Sequence, residues 1–207
     1  MNEYFACFGL PGTFVLTWLI SLIAVILAVI RRQKYACFCA AAMVMSSCGD
    51  LFMTRFGNIT EIFPNYFMIG AALFMIAHVL YTISYRMLAK SKGYRYFNGG
   101  VLAAIAIALV CVVYFTIICA QRNDFSMYFL CMLYLIVITV NCATVFSYAW
   151  ASTKKQPYLL LCAVGALSFL LSDLIIGLDA LAGIYDYGYL IWWYYPIGQI
   201  LLNVFCF

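Results

Sequence analysis

The sequence predicts an all-α protein, a polytopic bundle of about seven transmembrane helices in one domain covering residues 1–207. Three observations lead to this prediction. Hydrophobic residues make up 68% of the chain and charged residues only 9%, with a mean hydropathy of +1.06. A soluble domain of this length could not enclose so much apolar surface. The apolar residues also form runs of about 20, which is long enough for a spanning helix and far too long for a barrel strand.

The predicted spans occupy residues 12–30, 35–54, 64–88, 97–120, 125–150, 157–180 and 187–206. We expect the first run to be a span and not a cleavable signal peptide. Residues 1–12 carry no basic region, and no small-residue cleavage site follows the run. The loops are short and leave no room for a soluble domain. The chain is therefore expected to be a multi-pass integral membrane protein, in the cell membrane if the source is bacterial.

The basic residues indicate the orientation of the bundle. Loops after spans 1, 3 and 5 hold nine of the eleven: Arg31, Arg32, Lys34, Arg86, Lys90, Lys92, Arg95, Lys154 and Lys155. The opposite side holds Arg55, Arg122, Glu3, Glu61, Asp124, Asp179 and Asp186. The positive-inside rule then predicts a non-cytoplasmic N-terminus and a cytoplasmic C-terminus. No nucleic-acid partner is expected, because no stretch interleaves basic residues with exposed aromatic residues.

Few ionisable groups remain within the spans, and the two aspartates among them lie at matched depth. Asp50 on span 2 and Asp173 on span 6 each lie roughly 23 Å from the cytoplasmic end, at 1.5 Å rise per residue. Buried charge is costly in a bilayer, so such residues usually face a partner or a cavity. A single protonated aspartate that bridges two helices is the alternative for either residue. Two carboxyl groups facing one cavity would instead act as general acid and general base.

His78 is the one histidine of the chain and lies on span 3. Phe74, Tyr81 and Tyr85 lie near the same helix face, since positions three and four apart are neighbours. Along the helix, His78 should fall several residues closer to the cytoplasm than Asp50. We therefore expect it to line a cavity and not to donate the proton. A core histidine hydrogen-bonded to another helix is the alternative interpretation.

Spans 5 to 7 offer further polar candidates. Ser172 precedes Asp173 on span 6, on a strip where small residues also permit close helix packing. On span 7, Gln199 offers a donor and an acceptor near the middle of the membrane, and Pro196 can kink the helix. Asn141 on span 5 is a further candidate lining group, although an interhelical hydrogen bond is the favoured interpretation.

Neither a metal nor another cofactor is expected. A catalytic zinc site needs about three protein ligands, and one histidine with ten scattered cysteines does not supply them. The cysteines form no C-x-x-C pair, which favours buried small hydrophobic side chains. The G-x-S-x-G pattern of a serine nucleophile is also missing from the sequence. Serine chemistry with His78 stays an alternative without a supporting motif.

Four segments carry a resemblance to a known family. They read CGDLFM at 48–53, GAALFMIAHVLYT at 70–82, GALSFLLSDLII at 165–176 and YYPIGQILLN at 194–203. In this order and spacing the chain resembles the YhhN-like lysoplasmalogenase family, over roughly residues 40 to 203. Members of that family commonly read as eight spans, so eight remains an alternative to the count of seven.

The resemblance implies a hydrolase acting on ether bonds, with a lysoplasmalogen and water as substrates. The vinyl ether bond would be cleaved to a fatty aldehyde and a glycerophospho-base. Asp50 and Asp173 match the acidic positions of the family, while His78, Tyr81 and Gln199 match its other polar positions. One aspartate would protonate the vinyl ether, and the other would stabilise the resulting cation and position water, with no metal required.

Further residues are expected to contact the lipid. Tyr195 and Ser172 complete the predicted substrate-binding wall, and Arg55, about one and a half turns beyond Asp50, could meet the phosphate. An interfacial arginine that reaches into water is the simpler interpretation of Arg55. The alternative function is a non-catalytic seven-span carrier or receptor that binds a lipid or small molecule at the same carboxylates.

Overall fold

The computed structural model describes residues 10–55, 58–119, 125–153, 155–183 and 187–204, and every regular element in these ranges is helical. The helices are α1 (Leu10–Arg31), α2 (Lys34–Met53), α3 (Ile59–Ile62), α4 (Tyr66–Ser91), α5 (Gly99–Cys119), α6 (Phe125–Ser152), α7 (Leu160–Ala182) and α8 (Gly188–Val204). A 3-10 turn, Pro157–Leu159, leads into α7. The all-α prediction is confirmed for these ranges, and each predicted span coincides with one of the seven long helices.

Four segments of these helices are long and apolar enough to cross a membrane: Lys34–Met53, Tyr66–Ser91, Ser126–Ser152 and Pro157–Ala180. Shorter apolar segments occur at Val15–Arg31 and Gly99–Val113. These helices indicate a membrane protein. The count of seven spans and the orientation of the termini stay predictions. Glu3, Arg122, Asp124, Lys154 and Asp186, on which part of the charge argument depends, lie outside the described residues.

The helix ends differ from the predicted spans by a few residues. Helix α4 continues to Ser91, beyond the predicted end at 88, and α6 continues to Ser152, beyond the predicted end at 150. Both extensions lie where the basic loops begin. The one-turn helix α3 was not predicted, because four residues carry no periodic signal of their own.

The site is formed where α2, α4, α6, α7 and α8 pack together, with α2 against α4 and α7 against α8 as the largest contacts. Glycines allow α7 and α8 to approach closely. A Cβ atom placed on Gly198 would lie 2.9 Å from the backbone nitrogen of Phe169, closer than side-chain atoms normally come. A Cβ on Gly165 would lie 2.7 Å from the Cβ of Leu201. This approach brings Asp173 of α7 within electrostatic reach of Tyr195 on α8.

An aromatic cluster joins three of these helices next to the site. The rings of Phe74, Phe169 and Tyr195 meet edge to face, with centroids 5.2 to 6.3 Å apart. All three side chains are buried. Edge-to-face pairs of this kind add to the stability that burial provides. The cluster therefore fixes α4, α7 and α8 in the positions from which their polar side chains reach the site.

Candidate active site

A partly open cavity lies between α2, α4, α6 and α7. Its wall is mainly apolar and includes Met53, Ala71, Leu130, Leu135 and Leu174. Asp173 and Tyr134 are the carboxyl and hydroxyl groups in this wall. Apolar pockets with a few converging polar groups are the usual form of a small-molecule site. A molecule in this cavity would thus meet hydrocarbon on most sides and one carboxyl group.

The Asp173 carboxyl is held by donors from two other helices. The Tyr134 hydroxyl on α6 donates to Oδ2 over 2.7 Å, and His78 Nε2 on α4 lies 3.2 Å from the same oxygen. The His78 ring is fully buried, while the Asp173 side chain keeps 7% of its surface exposed. The contact places His78 beside the carboxyl group of α7. The expectation that His78 does not itself donate the proton stays a prediction.

The His78 ring is fixed on its second nitrogen as well. Asn141 Nδ2 lies 3.0 Å from His78 Nδ1, and the Phe169 ring meets the imidazole edge to face at a centroid distance of 4.6 Å. His78 thus lies behind Asp173 and is not among the residues that border the cavity. The sequence had predicted a place for it in the cavity wall. Asn141 makes the interhelical bond that the sequence offered as one of its two interpretations.

Asp50 on α2 lies in a separate and more enclosed environment. Asp50 is 6% exposed, and the hydroxyl groups of Tyr195 and Thr17 lie beside its carboxyl group as possible donors. Among the described residues, nothing hydrogen-bonds to its Oδ2. When Asp173 is ionised, its charge acts on the Asp50 carboxyl, so the two aspartates are close enough to interact electrostatically. The hydroxyl of Tyr195 is within electrostatic reach of both.

A line of polar side chains on α8 supports Asp50. Gln199 Nε2 donates to the Tyr195 hydroxyl, and the Asn203 side-chain amide donates to the backbone carbonyl oxygen of Gln199 over 2.7 Å. Asn203 also donates to the Tyr81 hydroxyl over 3.0 Å. Tyr195, Gln199 and Asn203 are spaced by four and share one face of α8. Tyr81 therefore belongs to this supporting network and is fully buried away from the cavity.

Comparison with protein families gives one match. The sequence model of the YhhN family matches residues 13–204. The chain belongs to the YhhN family. Comparison with curated proteins and with solved structures yields no significant match. The matched range of this YhhN-family protein contains both aspartates and every side chain described above as contacting them.

Two further predicted site residues lie away from these contacts. Ser172 is fully buried, and its hydroxyl has no hydrogen-bond partner in the part of the chain that the structure describes. Arg55 follows the end of α2 at a positive φ of 53°, with its guanidinium 4.9 Å from the ring centroid of Tyr66. Its charge also acts on Asp179. Arg55 is exposed, and it lies one and a half turns beyond Asp50 at the end of the YhhN-family bundle.

The sequence interpretation missed Tyr134 and Thr17. Tyr134 is one of 17 tyrosines and carried no motif. One signal could have indicated it: Tyr134 and Asn141 are seven residues apart, which puts them on one face of α6. Thr17 lies in an otherwise apolar first span, where a single hydroxyl indicates nothing specific. In the described ranges, no group of three His, Cys, Asp or Glu side chains could hold one metal ion.

Proposed function

We propose that this YhhN-family protein is a lysoplasmalogenase, which hydrolyses the vinyl ether bond of a lysoplasmalogen to a fatty aldehyde and a glycerophospho-base. Membership of the family is consistent with this activity. The observation that carries the proposal is the position of Asp173, a carboxyl group in the wall of an apolar cavity and within electrostatic reach of Asp50. Protonation of the carbon–carbon double bond of a vinyl ether needs an acid that lies in an apolar environment, next to the lipid chain.

The cavity suits a lipid with a single chain. Its apolar wall would hold the alkenyl chain, and the vinyl ether oxygen at the end of that chain would lie near Asp173 and Tyr134. A lipid resident in the bilayer needs no route through water, since it can enter between helices. The exposed guanidinium of Arg55 is suited to the phosphate, because arginine binds phosphate through two parallel hydrogen bonds.

The reaction requires one proton transfer and one water molecule. Protonation of the β-carbon converts the vinyl ether to an oxocarbenium ion, and the electron pair of the double bond forms the new C–H bond. Water then attacks the cationic carbon and loses a proton, which gives a hemiacetal. The hemiacetal collapses to the aldehyde and the free alcohol of the glycerophospho-base. Glycosidases stabilise the same kind of cation with paired carboxyl groups.

The two aspartates divide this work in the proposal. Asp173, which borders the cavity, delivers the proton to the lipid and then, as a carboxylate, accepts the proton of water, while the Asp50 carboxylate stabilises the cation through space. His78 and Tyr134 hold Asp173, while Tyr195 and Thr17 hold Asp50. Gln199 fixes the Tyr195 hydroxyl. A charge developing in an apolar cavity is stabilised strongly by a carboxylate, because little water competes.

Incubation of the purified full chain with lysoplasmenylethanolamine tests the proposal. We expect release of fatty aldehyde, and no release of fatty acid from a lysophospholipid ester. Asp50→Asn should abolish aldehyde release while the protein stays folded, and the exposed Glu61→Gln serves as the matched carboxyl-to-amide control. Fatty acid from the ester without aldehyde from the vinyl ether would refute the assignment. Binding of the lipid with its recovery unchanged would instead favour the carrier or receptor function.

A further inference from the structure

We infer that Asn141 is a positioning residue which, through His78, leaves Oδ1 of Asp173 as the oxygen that exchanges a proton with a molecule in the cavity. This inference deepens the proposed function and rests on it for its catalytic part. It assigns a role to a residue on α6 that does not border the cavity. It also assigns different roles to the two oxygens of one carboxyl group.

The first step concerns the proton on the imidazole. Asn141 Nδ2 lies 3.0 Å from His78 Nδ1. An amide nitrogen only donates, so Nδ1 must accept, and the proton of a neutral ring is then on Nε2. Asn141 is 1% exposed and His78 is fully buried, so bulk water does not compete for either nitrogen. The rings of Phe169 and Tyr134 pack against the imidazole at 4.6 and 5.7 Å and hinder its rotation.

The second step concerns the oxygens of Asp173. His78 Nε2 lies 3.2 Å from Oδ2 and also 3.2 Å from the Tyr134 hydroxyl oxygen, so its N–H is shared between these two acceptors. The Tyr134 hydroxyl itself donates to Oδ2 over 2.7 Å. With two donors, Oδ2 is an acceptor in both bonds, and a carboxyl proton has no place there. The described residues offer Oδ1 no hydrogen bond, and Asp173 borders the cavity. A proton carried by Asp173 therefore sits on Oδ1, where a molecule in the cavity can take it.

A purely structural role for Asn141 makes a different prediction. If the amide only joined α4 and α6, its oxygen could equally face Nδ1 and accept a hydrogen bond from an Nδ1 proton. A neutral ring would then carry its proton on Nδ1, and the unprotonated Nε2 could not donate to Asp173. The protonation pattern of the ring separates the two roles without any measurement of activity.

The sole histidine makes this pattern directly measurable. The full chain, labelled with 15N-histidine, gives one imidazole in its nitrogen NMR spectrum. We expect a neutral ring with a proton on Nε2 and a hydrogen-bonded, unprotonated Nδ1. Asn141→Leu should shift the Nδ1 signal to that of an unbonded nitrogen, and Asn141→Asp should move a proton onto Nδ1. Thr144→Val, on the same helix and bonded to Val140 and Tyr96 instead, should leave the signal unchanged.

A proton on Nδ1 in the native protein, or an Nδ1 signal that Asn141→Leu does not move, would overturn the inference. The native spectrum alone shows which nitrogen of His78 carries the proton, even if a variant fails to fold. In turnover, Asn141→Asp should lower kcat by about 100-fold with little change in KM, since the acid is misplaced and not removed. An unchanged kcat would also overturn the inference. Absence of vinyl ether hydrolysis in the native protein, with the expected spectrum, would refute only the proposed function.

Discussion

His78 Nε2 lies 3.2 Å from Asp173 Oδ2, although the two residues are 95 positions apart in the chain. The contact joins α4 to α7 next to the cavity, and the Tyr134 hydroxyl completes a three-residue group around one carboxyl oxygen. Groups this far apart in sequence meet only when both helices are in place. The acid of the proposed reaction is consequently assembled by folding and is not present in any single segment.

Asp173→Asn should lower aldehyde release by at least about 100-fold, the lower end of what a positioned acid or base contributes. The amide has nearly the same shape and can still bond to Tyr134, so the fold should persist. Aldehyde release and the thermal unfolding midpoint in detergent are measured together. Activity near that of the native protein would exclude Asp173 from the chemistry.

Tyr134→Phe should lower kcat by about tenfold, equivalent to ~1.4 kcal/mol in the activation free energy. The change removes one of the two donors to Asp173 Oδ2 and leaves an aromatic ring of similar size in the cavity wall. Tyr128→Phe, on the same helix, is the control. Equal kcat values for the two variants would contradict the role given to the Tyr134 hydroxyl.

The helices of this protein could be predicted from its sequence far better than their contacts. Runs of about 20 apolar residues allow only one backbone structure in a bilayer, so the seven long helices follow from hydropathy. Intramembrane charge is rare enough that Asp50 and Asp173 could be selected without a structure. The helix α3 and the exact helix ends could not be predicted, because polar loop residues lack a helical period.

The partners of the two aspartates were harder to predict. Tyr134 could not be distinguished from the other tyrosines, since its role depends on the rotation of α6 against α7. The contact of His78 with Asp173 depends on side-chain direction, which depth along a helix does not include. The sequence identified Asn141 as a polar residue within a span, but only its distance to His78 Nδ1 indicates which atom it contacts.

Tyr195→Phe should lower the free energy of unfolding by about 1–2 kcal/mol. The change leaves the Gln199 amide without its acceptor and removes a donor from the Asp50 carboxyl. Both groups are buried, so water does not replace the lost bonds easily. Tyr194→Phe, one position away and less buried, is the control in chemical unfolding. Equal stability of the two variants would show that the Tyr195 hydroxyl bonds contribute little.

Ala71→Leu should change the chain-length preference of the proposed hydrolysis. Ala71 is in the cavity wall, and three added carbons would fill part of the space in which the alkenyl chain is proposed to lie. We expect KM to rise for long-chain lysoplasmalogens and to change little for short ones. Ala72→Leu places the same side chain on the neighbouring position of α4. A uniform loss of activity at all chain lengths would contradict this place for the chain.

Hydrolysis in D2O with immediate trapping of the aldehyde as its hydrazone tests the central claim most directly. Protonation of the β-carbon by an aspartate that exchanges with solvent predicts one deuterium on the carbon next to the former carbonyl. The product should form with native protein and fall to the background level with Asp173→Asn. Recovery of unchanged lysoplasmalogen, or an aldehyde without deuterium at that carbon, would contradict acid catalysis of vinyl ether hydrolysis by this protein.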